Sequence, residues 1–245
     1  MSQVKAVPAP SAPRADRLTK GLLACGVLYG VTYVAGNDLI AAAMTRGYTR
    51  MDQAVSELSA SGAATRPFLI GMNALWMPAM VAFGVGVWHA ALGNHWLRVA
   101  GALLMAFGVT SLMWLPFPMT ARQDVVAGAA MATNDIGHIG MTALTGVFVL
   151  AEIGSSAAGL GRGFRVYCAA TVAVILLFGA LTGAQAPHVA QRLPTPLMGF
   201  YERVNIGAWL LWMAVLAAVL WRRLDAEVPG AARPDGLPSR TPGAM

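Results

Sequence analysis

The sequence predicts an all-α, polytopic transmembrane helix bundle with about six spans, and three observations lead to this prediction. Of the 245 residues, 57% are hydrophobic and only 11% are charged, whereas about a quarter of the residues of a soluble domain are charged. Six apolar segments each approach the roughly 20 residues that a helix needs to cross the hydrocarbon core. No alternation with a period of two runs through them, and open sheets do not span lipid. A separate soluble domain and a strand-based fold are therefore excluded.

The predicted spans cover residues 21–44, 67–92, 96–117, 134–157, 163–184 and 199–221. Together they form one transmembrane domain, residues 20–222. Residues 1–19 and 223–245 are rich in Pro, Ala, Ser and Gly, and they are predicted to be disordered cytoplasmic tails. In the first span, Gly26 and Gly30 have the spacing that lets two helix backbones approach closely. This approach would occur within the bundle or, as the alternative, between two copies of the chain.

The placement of Lys and Arg predicts the orientation of the chain in the membrane. With the N-terminus inside, eleven of the 17 Lys and Arg residues lie on the cytoplasmic side. The six on the outer side are Arg46, Arg50, Arg66, Arg122, Arg192 and Arg203. Because cytoplasmic loops carry the excess of positive charge, we predict a multi-pass protein of the bacterial inner membrane with both termini in the cytoplasm. The net charge of +6 does not indicate nucleic-acid binding, since no basic helix or aromatic-interleaved basic patch is present.

Polar and ionisable residues within the spans form the candidate site, because each is costly in lipid unless it is paired or hydrated. Most of them lie toward the outer ends of the spans: Asn37, Asp38, Asn73, Asp135, His138, Glu202, Arg203 and Asn205. On the inner side there are His89 and Glu152, which are predicted to lie near helix ends and to reach the cytoplasmic headgroups. This asymmetry predicts a polar pocket near the outer leaflet.

Asp135 and His138 are three residues apart and therefore project from one face of the fourth span. A carboxylate beside an imidazole is typical of general-base pairs, which makes both residues catalytic candidates. Arg203 is expected to turn inward and pair with Asp135 or Asp38, leaving Glu202 at the interface. The alternative is a structural network of buried ion pairs that fixes the packing of the first, fourth and sixth spans.

The first outer loop is predicted to contain a short amphipathic helix. Thr49 followed by Asp52 resembles a helix N-cap pattern, and Gly62 supplies a stop. Apolar residues recur at the i, i+4 and i+7 positions: Met51, Val55 and Leu58. On the same helix, Ser56 and Glu57 are expected to lie over the polar cluster as a lid, with Glu57 as a further catalytic candidate. No nucleophile elbow surrounds the serines of this loop, which disfavours serine-hydrolase chemistry.

The sequence predicts neither a cofactor nor a metal. A bis-histidine haem needs two histidines at one depth, and His89 and His138 lie at opposite ends of their spans. Zinc needs three or four ligands, and the one conceivable set is Asp135, His138 and His188. Phosphate-binding loops and dinucleotide-binding motifs are absent from the sequence.

Four short motifs occur in an order that resembles a known family. They are the run from Gly47 to Ser-Glu-Leu-Ser-Ala at 56–60, Pro-Phe-Pro-Met at 116–119, Asp135-x-x-His138, and Gly-Phe-Tyr-Glu-Arg-Val at 199–204. Over residues 20–222 the chain resembles the uncharacterised prokaryotic membrane-protein family named domain of unknown function 998. The resemblance implies a bundle of six or seven helices in which these motifs recur, and it implies no activity. Its motifs and the polar-residue analysis converge on Ser56, Glu57, Asp135, His138, Glu202 and Arg203.

Three functions are compatible with these observations. The first is binding or movement of a lipid, a small amphiphile or an ion at the bilayer, by Asp38, Ser56, Asn73, Glu202 and Arg203. The second is an intramembrane hydrolase, with Asp135 and His138 as the base and Glu57 or Glu202 as the acid. The third is a structural or accessory membrane subunit. A conventional secondary transporter is disfavoured, because the sequence contains no inverted repeat with broken helices.

Overall fold

The computed structural model describes residues 12–227. Its α-helices are α1 (Ala12–Val34), α2 (Ala42–Met44), α3 (Arg66–His89), α4 (His95–Thr110), α5 (Thr133–Gly159), α6 (Arg162–Ala184), α7 (Ala186–Ala190) and α8 (Met198–Glu227). A π-helical segment joins α1 to α2, and 3₁₀-helices occupy Val55–Ser59, Ser111–Trp114 and Arg122–Asp124. No strand occurs within residues 12–227, and the predicted all-α class is confirmed.

Six helical stretches of the described chain are long and apolar enough to cross a membrane: Asp16–Met44, Arg66–His89, His95–Trp114, Thr133–Gly159, Arg162–Ala190 and Met198–Ala226. They coincide with the six spans predicted from the apolar segments. Helices satisfy their backbone polar groups internally, which is the condition for crossing hydrocarbon. The chain is therefore a multi-pass membrane protein.

The first and last helices extend beyond the predicted transmembrane domain. Residues 12–19 belong to α1 and residues 223–227 belong to α8, so these parts of the predicted disordered tails are helical. Both extensions contain the helix formers Ala, Arg and Leu. Adding residues to an existing helix is far easier than nucleating one. Residues 1–11 and 228–245, the rest of the predicted tails, lie outside the described residues.

The helices pack with α1 between α3 and α8, α4 on α3, α5 on α4, and α6 on α8. Lys20 near the start of α1 forms an ion pair with Asp225 near the end of α8. Both described ends of the chain therefore lie at the same end of the bundle, with the turns 90–94 and 160–161, and we call this the short-loop end. The opposite, long-loop end carries the first, second and third long loops, residues 45–65, 115–132 and 191–197.

The interior of the bundle is aromatic and aliphatic. Trp212, Phe83 and Leu23 are fully buried between the helices. Large apolar side chains also cover the outside, where Val147 and Val166 are each 65% exposed. An extensive apolar exterior is unfavourable in water and is expected where the hydrocarbon of the bilayer is the solvent.

The close approach of α3 and α4 depends on two glycines. A Cβ atom on Gly84 would lie 2.7 Å from the carbonyl oxygen of Gly101, and one on Gly101 would lie 2.8 Å from the carbonyl oxygen of Gly84. Small residues allow such backbone contact in membrane bundles. Gly26 likewise lies against the ring of Phe83, so this glycine of the Gly26-x-x-x-Gly30 motif packs within the bundle.

Gly84→Leu is expected to force α3 and α4 apart and to destabilise the bundle by about 3 kcal/mol, the upper range of overpacking costs. The matched control is Gly71→Leu on the same helix, because no atom lies within 4 Å of a Cβ placed there. Thermal unfolding of the purified protein in detergent measures both variants. Equal melting temperatures for the two would contradict the close helix contact.

Candidate functional site

The first span departs from a regular α-helix where its two polar residues lie. Residues Ala35–Ala41 form a π-helical segment that contains Asn37 and Asp38. Asn37 is buried and its Nδ2 donates to the carbonyl oxygen of Tyr33 at 3.0 Å. Asp38 Oδ1 accepts from Nε of Arg203 at 2.7 Å. A π-helical turn inserts one residue into a helix and is frequent at functional sites; here it carries the carboxylate that pairs with α8.

Arg203, in the second turn of α8, holds the first long loop onto the bundle. Its Nη1 donates to three backbone carbonyl oxygens at 2.8, 3.3 and 3.0 Å, those of Arg50, Gln53 and Gly199. Its Nη2 donates to the hydroxyl oxygen of Tyr48 at 2.8 Å. Of the two carboxylates predicted to pair with Arg203, Asp38 is the partner and Asp135 is not.

Gly199 lets the first long loop lie directly on the start of α8. A Cβ atom there would overlap the carbonyl oxygens of Arg50 and Gln53. The next residue, Phe200, donates its amide to the carbonyl oxygen of Met51 at 3.0 Å. The glycine that opens the late sequence motif therefore serves close backbone contact.

Tyr48 links Arg203 to the backbone of the same loop. Its hydroxyl oxygen accepts from Arg203, and its hydroxyl proton is directed at the carbonyl oxygens of Gln53, at 3.1 Å, and Ala54, at 2.9 Å. Burial raises the pKa of the Tyr48 hydroxyl to about 12, and the hydrogen bond from Arg203 opposes that rise. The hydroxyl therefore keeps its proton at neutral pH and remains a donor.

The first long loop contains a 3₁₀-helix, Val55–Ser59, where the sequence predicted a longer amphipathic helix that begins near Thr49. A short helix is present in this loop, but it begins at Val55 and not near Thr49, because Ala54 is extended (φ −63°, ψ 149°) and separates it from the turn at 49–53. Met51 consequently leaves the apolar face and is 50% exposed, whereas Leu58 is fully buried. Carbonyl oxygens of the turn are bound to α8, which prevents the helix from extending toward them.

Two carboxylates cap this 3₁₀-helix. Glu57 Oε1 accepts from Ala54 N at 3.0 Å, and a carboxylate oxygen of Glu202 on α8 accepts from Val55 N. The first N–H groups of a helix have no internal partner and carry partial positive charge, so both carboxylates stabilise the helix. The prediction that Glu202 lies at the lipid interface was wrong, because its carboxylate is drawn to this helix end.

Glu57 also forms the ion pair that joins the three long loops. Arg122 Nε lies 3.0 Å from Glu57 Oε2 and Nη2 lies 2.7 Å from Oε1, a bidentate geometry that strengthens such pairs. Arg122 Nη2 also donates to Thr195 Oγ1 at 2.9 Å, and Thr195 Oγ1 donates to Asp52 O at 2.6 Å. The sequence did not indicate a site role for Arg122 or Thr195, since loop residues have no helical periodicity that predicts where their side chains point.

Asp135 and His138 bind the second long loop and not each other. Asp135 accepts from the amide and the hydroxyl of Thr120, both at 2.6 Å. His138 Nδ1 lies 3.1 Å from the carbonyl oxygen of Phe117, which can only accept, so Nδ1 carries a proton. Within residues 12–227 no hydrogen bond joins Asp135 to His138, and the predicted general-base pair is therefore not formed.

The motifs at 116–119 and 135–138, together with Asn134 beside the second, form one structural unit. Asn134 Nδ2 donates to the carbonyl oxygen of Pro118 at 2.7 Å. A Cβ atom on Gly137 would overlap the ring of Phe117, so this glycine lets the loop lie against α5. Both motifs are visible in the sequence, but a single sequence does not show that they contact each other.

Ser56 and Asn73, which were predicted to bind a ligand, make hydrogen bonds within the protein. The carbonyl oxygen of Ser56 accepts from Ser59 Oγ at 3.2 Å within the 3₁₀-helix, and the backbone of Ser56 also bonds to Glu202 on α8. Asn73 Nδ2 donates to the carbonyl oxygen of Leu69 on its own helix at 3.1 Å. In the described part of the chain, Asn73 makes no hydrogen bond to another predicted site residue.

Metal-ligating side chains do not cluster in the described chain. Within residues 12–227 there is no group of three or more His, Cys, Asp or Glu that could hold a metal ion. The set of Asp135, His138 and His188 that the sequence allowed is thus not assembled. His188 is part of α7, and its Nδ1 lies 3.1 Å from Gln185 Oε1.

An open groove of about 440 Å³ lies where the three long loops meet. Its lining residues come from all three loops: Thr49, Asp52, Gln53, Arg122, Pro194, Thr195 and Pro196. Asp52 Oδ1 accepts from Leu197 N at 3.0 Å and fixes the third loop against the first. The residues predicted as the site do not line this groove; Arg203, Glu57 and Asp135 instead hold the loops that form it.

A family model described as protein of unknown function DUF998 matches residues 23–219. This range contains the three long loops and the helix ends that bind them. The chain belongs to the DUF998 family. The family resemblance inferred from the four sequence motifs is confirmed, and in this DUF998 protein those motifs are the loop-anchoring residues described above. No curated protein and no solved structure matches the chain.

Arg203→Ala is expected to destabilise this DUF998 protein by about 3 kcal/mol, because it leaves the partly buried Asp38 carboxylate and several backbone carbonyls without a donor. Arg203→Lys should recover only part of the loss, since an ammonium group cannot reproduce the guanidinium fork. The control is Arg46→Ala, because Arg46 is exposed and makes no hydrogen bond within residues 12–227. Unfolding in detergent measures the three variants. Equal stability of Arg203→Ala and Arg46→Ala would rule out the anchoring role.

Proposed function

We propose that this DUF998 protein binds the zwitterionic headgroup of an amphiphile, such as a lipid, in the groove between its three long loops. The observation that carries the proposal is the lining of the groove, in which Arg122 and Asp52 supply opposite charges. Loops at the ends of membrane spans lie at the depth of the lipid headgroups. An amphiphile can therefore place its headgroup in the groove while its chain stays in the bilayer.

Arg122 and Asp52 offer complementary groups to such a headgroup. Arg122 uses Nε and Nη2 for Glu57 and Thr195, and within residues 12–227 its Nη1 has no hydrogen-bond partner. Asp52 uses Oδ1 for the amide of Leu197, and its Oδ2 has no partner in the same described range. A phosphate thus meets a guanidinium donor and an ammonium group meets a carboxylate acceptor.

In this proposal the residues singled out from the sequence are positioning residues. Arg203, Glu202 and Glu57 hold the first long loop, and Asp135 and His138 hold the second. Because these side chains are already bonded within the protein, the groove is formed before a ligand arrives. Pre-organisation of this kind lowers the entropy cost of binding.

The hydrolase alternative has less support from the geometry. Asp135 and His138 each bind backbone of the second long loop, and neither lines the groove. Both carboxylate oxygens of Glu57 accept from Arg122. A general base or acid has to lie within hydrogen-bond distance of the reacting group, and these contacts direct all three residues to the loops.

A structural or accessory role is the second candidate, and the extent of the anchoring network favours it. Arg203 alone bonds to Asp38, Tyr48 and three carbonyl oxygens. A purely structural protein would have the same network without saturable binding of a ligand in the groove. A binding measurement therefore separates the two candidates.

Thr49→Phe tests headgroup binding, because Thr49 lines the groove and its hydroxyl makes no hydrogen bond within residues 12–227. The phenyl ring adds bulk inside the groove, and the Thr49 side chain takes no part in the anchoring network. We expect the affinity for soluble glycerophosphoethanolamine, measured by isothermal titration calorimetry, to fall at least about tenfold, or about 1.4 kcal/mol. Met51→Phe is the control, because Met51 is 50% exposed in the same loop and lies outside the groove lining.

Saturable binding by the wild type that Met51→Phe retains and Thr49→Phe loses supports the proposal. If the wild type binds no headgroup, or if the two variants bind equally, the groove is not a binding site. The structural role then becomes the better account of the chain. Melting temperatures of both variants show whether a loss of binding reflects a loss of fold.

We also propose that both termini face the cytoplasm of a bacterial inner membrane, supported by eleven Lys and Arg residues on the side of the termini against six on the other. In a chain with Cys25 and Cys168 replaced by Ala, a cysteine introduced as Ala129→Cys in the second long loop should react with an impermeant maleimide in intact spheroplasts. Gly161→Cys at the short-loop end should react only after permeabilisation. The reverse labelling pattern would show the opposite orientation.

A further inference from the structure

A second groove, of about 620 Å³, lies on the outside of the bundle between α1 and α8. We call it the α1–α8 groove, and its lining includes Ala24, Leu28, Val31, Ala214, Ala218 and Arg222. Leu28 and Val31 are 46% and 62% exposed, so the groove opens toward the lipid. It is a different site from the groove between the long loops, because the two have no lining residue in common.

The α1–α8 groove extends from the short-loop end to about the middle of the bilayer. Because α1 and α8 run in opposite directions, Arg222 lies at the short-loop end of the groove and Val31 lies at the other end. Val31 is next to the centre of the first span, Asp16–Met44. From Ala214 to Arg222 the groove follows α8 for eight residues, or about 12 Å. Half of the hydrocarbon core measures about 15 Å, so the groove has nearly the depth of one leaflet.

The short-loop end of the groove carries an aromatic ring and a free positive charge. Trp221 lines it and is 39% exposed, and tryptophan is enriched at the depth of the headgroups. Lys20 Nζ lies 5.9 Å from the centroid of the Trp221 ring and pairs with Asp225. Arg222 is exposed, and within residues 12–227 it forms no hydrogen bond or ion pair. Its guanidinium group is therefore available to a phosphate.

Basic residues lie closest to the hydrocarbon on both sides of the groove. Lys20 is the last charged residue of α1 before its apolar stretch, and Arg222 and Arg223 are the first charged residues after the apolar stretch of α8. The acidic residues of these two helix ends lie further from the hydrocarbon: Asp16, Asp225 and Glu227. A headgroup at the end of the groove consequently meets positive charge first.

Glu152 adds no charge to the surface of this leaflet. The prediction that it reaches the headgroups was wrong, because it is 0% exposed and lies seven residues before the end of α5 at Gly159, about 10 Å along the helix. Its Oε2 accepts from Trp209 Nε1 at 3.2 Å inside the bundle. The positive charge of Arg222 is therefore not offset by this carboxyl group.

We propose that the α1–α8 groove binds one anionic phospholipid of the leaflet at the short-loop end. An acyl chain lies in the groove against Ala24 and Ala218, and the phosphate lies at Arg222 beside Trp221. Acyl chains are as apolar as the groove, so the groove fixes the position of the lipid and Arg222 supplies the preference for negative charge. This site goes beyond the headgroup binding proposed above, because it lies at the opposite end of the bundle and selects charge.

Native mass spectrometry of the full chain with phosphatidylglycerol or phosphatidylcholine tests the role of the charge. We expect one phosphatidylglycerol to bind saturably and in preference to phosphatidylcholine. Arg222→Gln should lower the affinity for phosphatidylglycerol about fivefold, the equivalent of the roughly 1 kcal/mol that one Arg contributes at a membrane surface. Arg162→Gln is the matched control, because Arg162 is exposed at the same end and lies outside the groove lining.

Equal affinity of the wild type for the two lipids would overturn the proposal. Equal affinity of Arg222→Gln and Arg162→Gln for phosphatidylglycerol would also overturn it, because the preference would then not depend on the arginine in the groove.

Ala24→Phe tests the position of the acyl chain, because the phenyl ring adds bulk inside the groove. We expect the affinity for phosphatidylglycerol to fall about tenfold, the low end of overpacking costs. Ala170→Phe is the matched control. Ala170 is exposed on α6, eight residues after the start of its span at Arg162, just as Ala24 lies eight residues after Asp16. The two substitutions therefore lie at the same depth.

Equal affinity of Ala24→Phe and Ala170→Phe for phosphatidylglycerol would show that the lipid is not in the groove and would overturn the proposal. The same spectra report the oligomeric state. A wild-type dimer that Ala24→Phe converts to a monomer would make a second copy of the chain the occupant of the groove, and this result would also overturn the lipid site.

Discussion

The structure of the long-loop end depends on one constraint: polar groups beside hydrocarbon need hydrogen-bond partners within the protein. The hydrocarbon core offers no hydrogen bonds, so irregular backbone that reaches it has to be satisfied by other protein groups. In this chain the partners are side chains at the helix ends. Arg203 and Glu202 bind the first long loop, and Asp135 and His138 bind the second. The long loops are therefore fixed parts of the fold, although little of their backbone is helical.

This constraint changes what the buried ionisable residues indicate about function. An ionisable residue in a span usually marks a ligand or proton pathway, but most of those at the long-loop end are occupied in anchoring loops. In the described part of the chain, unused polar atoms remain at the groove, where Arg122 and Asp52 lie, and in the interior, at Glu152, Trp76, Tyr167 and Trp212.

Hydropathy and span length were sufficient to predict the six spans, because the bilayer imposes both directly. The pairing of Arg203 with Asp38 was one of two predicted options, but the π-helical segment that carries Asp38 has no distinctive composition. The three-residue spacing placed Asp135 and His138 on one face of α5. That spacing is compatible with a hydrogen bond between the two side chains, and equally with separate hydrogen bonds from each of them to a loop. The burial of Glu152 depends on the rotation of α5 and on its neighbours, which a single sequence does not specify.

Amide hydrogen exchange in the long loops measures the anchoring most directly. We expect the amides of Val55 and Thr120, bound by Glu202 and Asp135, to exchange slowly in wild-type protein in nanodiscs. Asp135→Ala should release the Thr120 amide and leave the Val55 amide protected. Asp124→Ala, at an exposed residue of the same loop, should change neither. Exchange of both amides in the wild type as fast as in an unfolded chain would contradict the anchored loops.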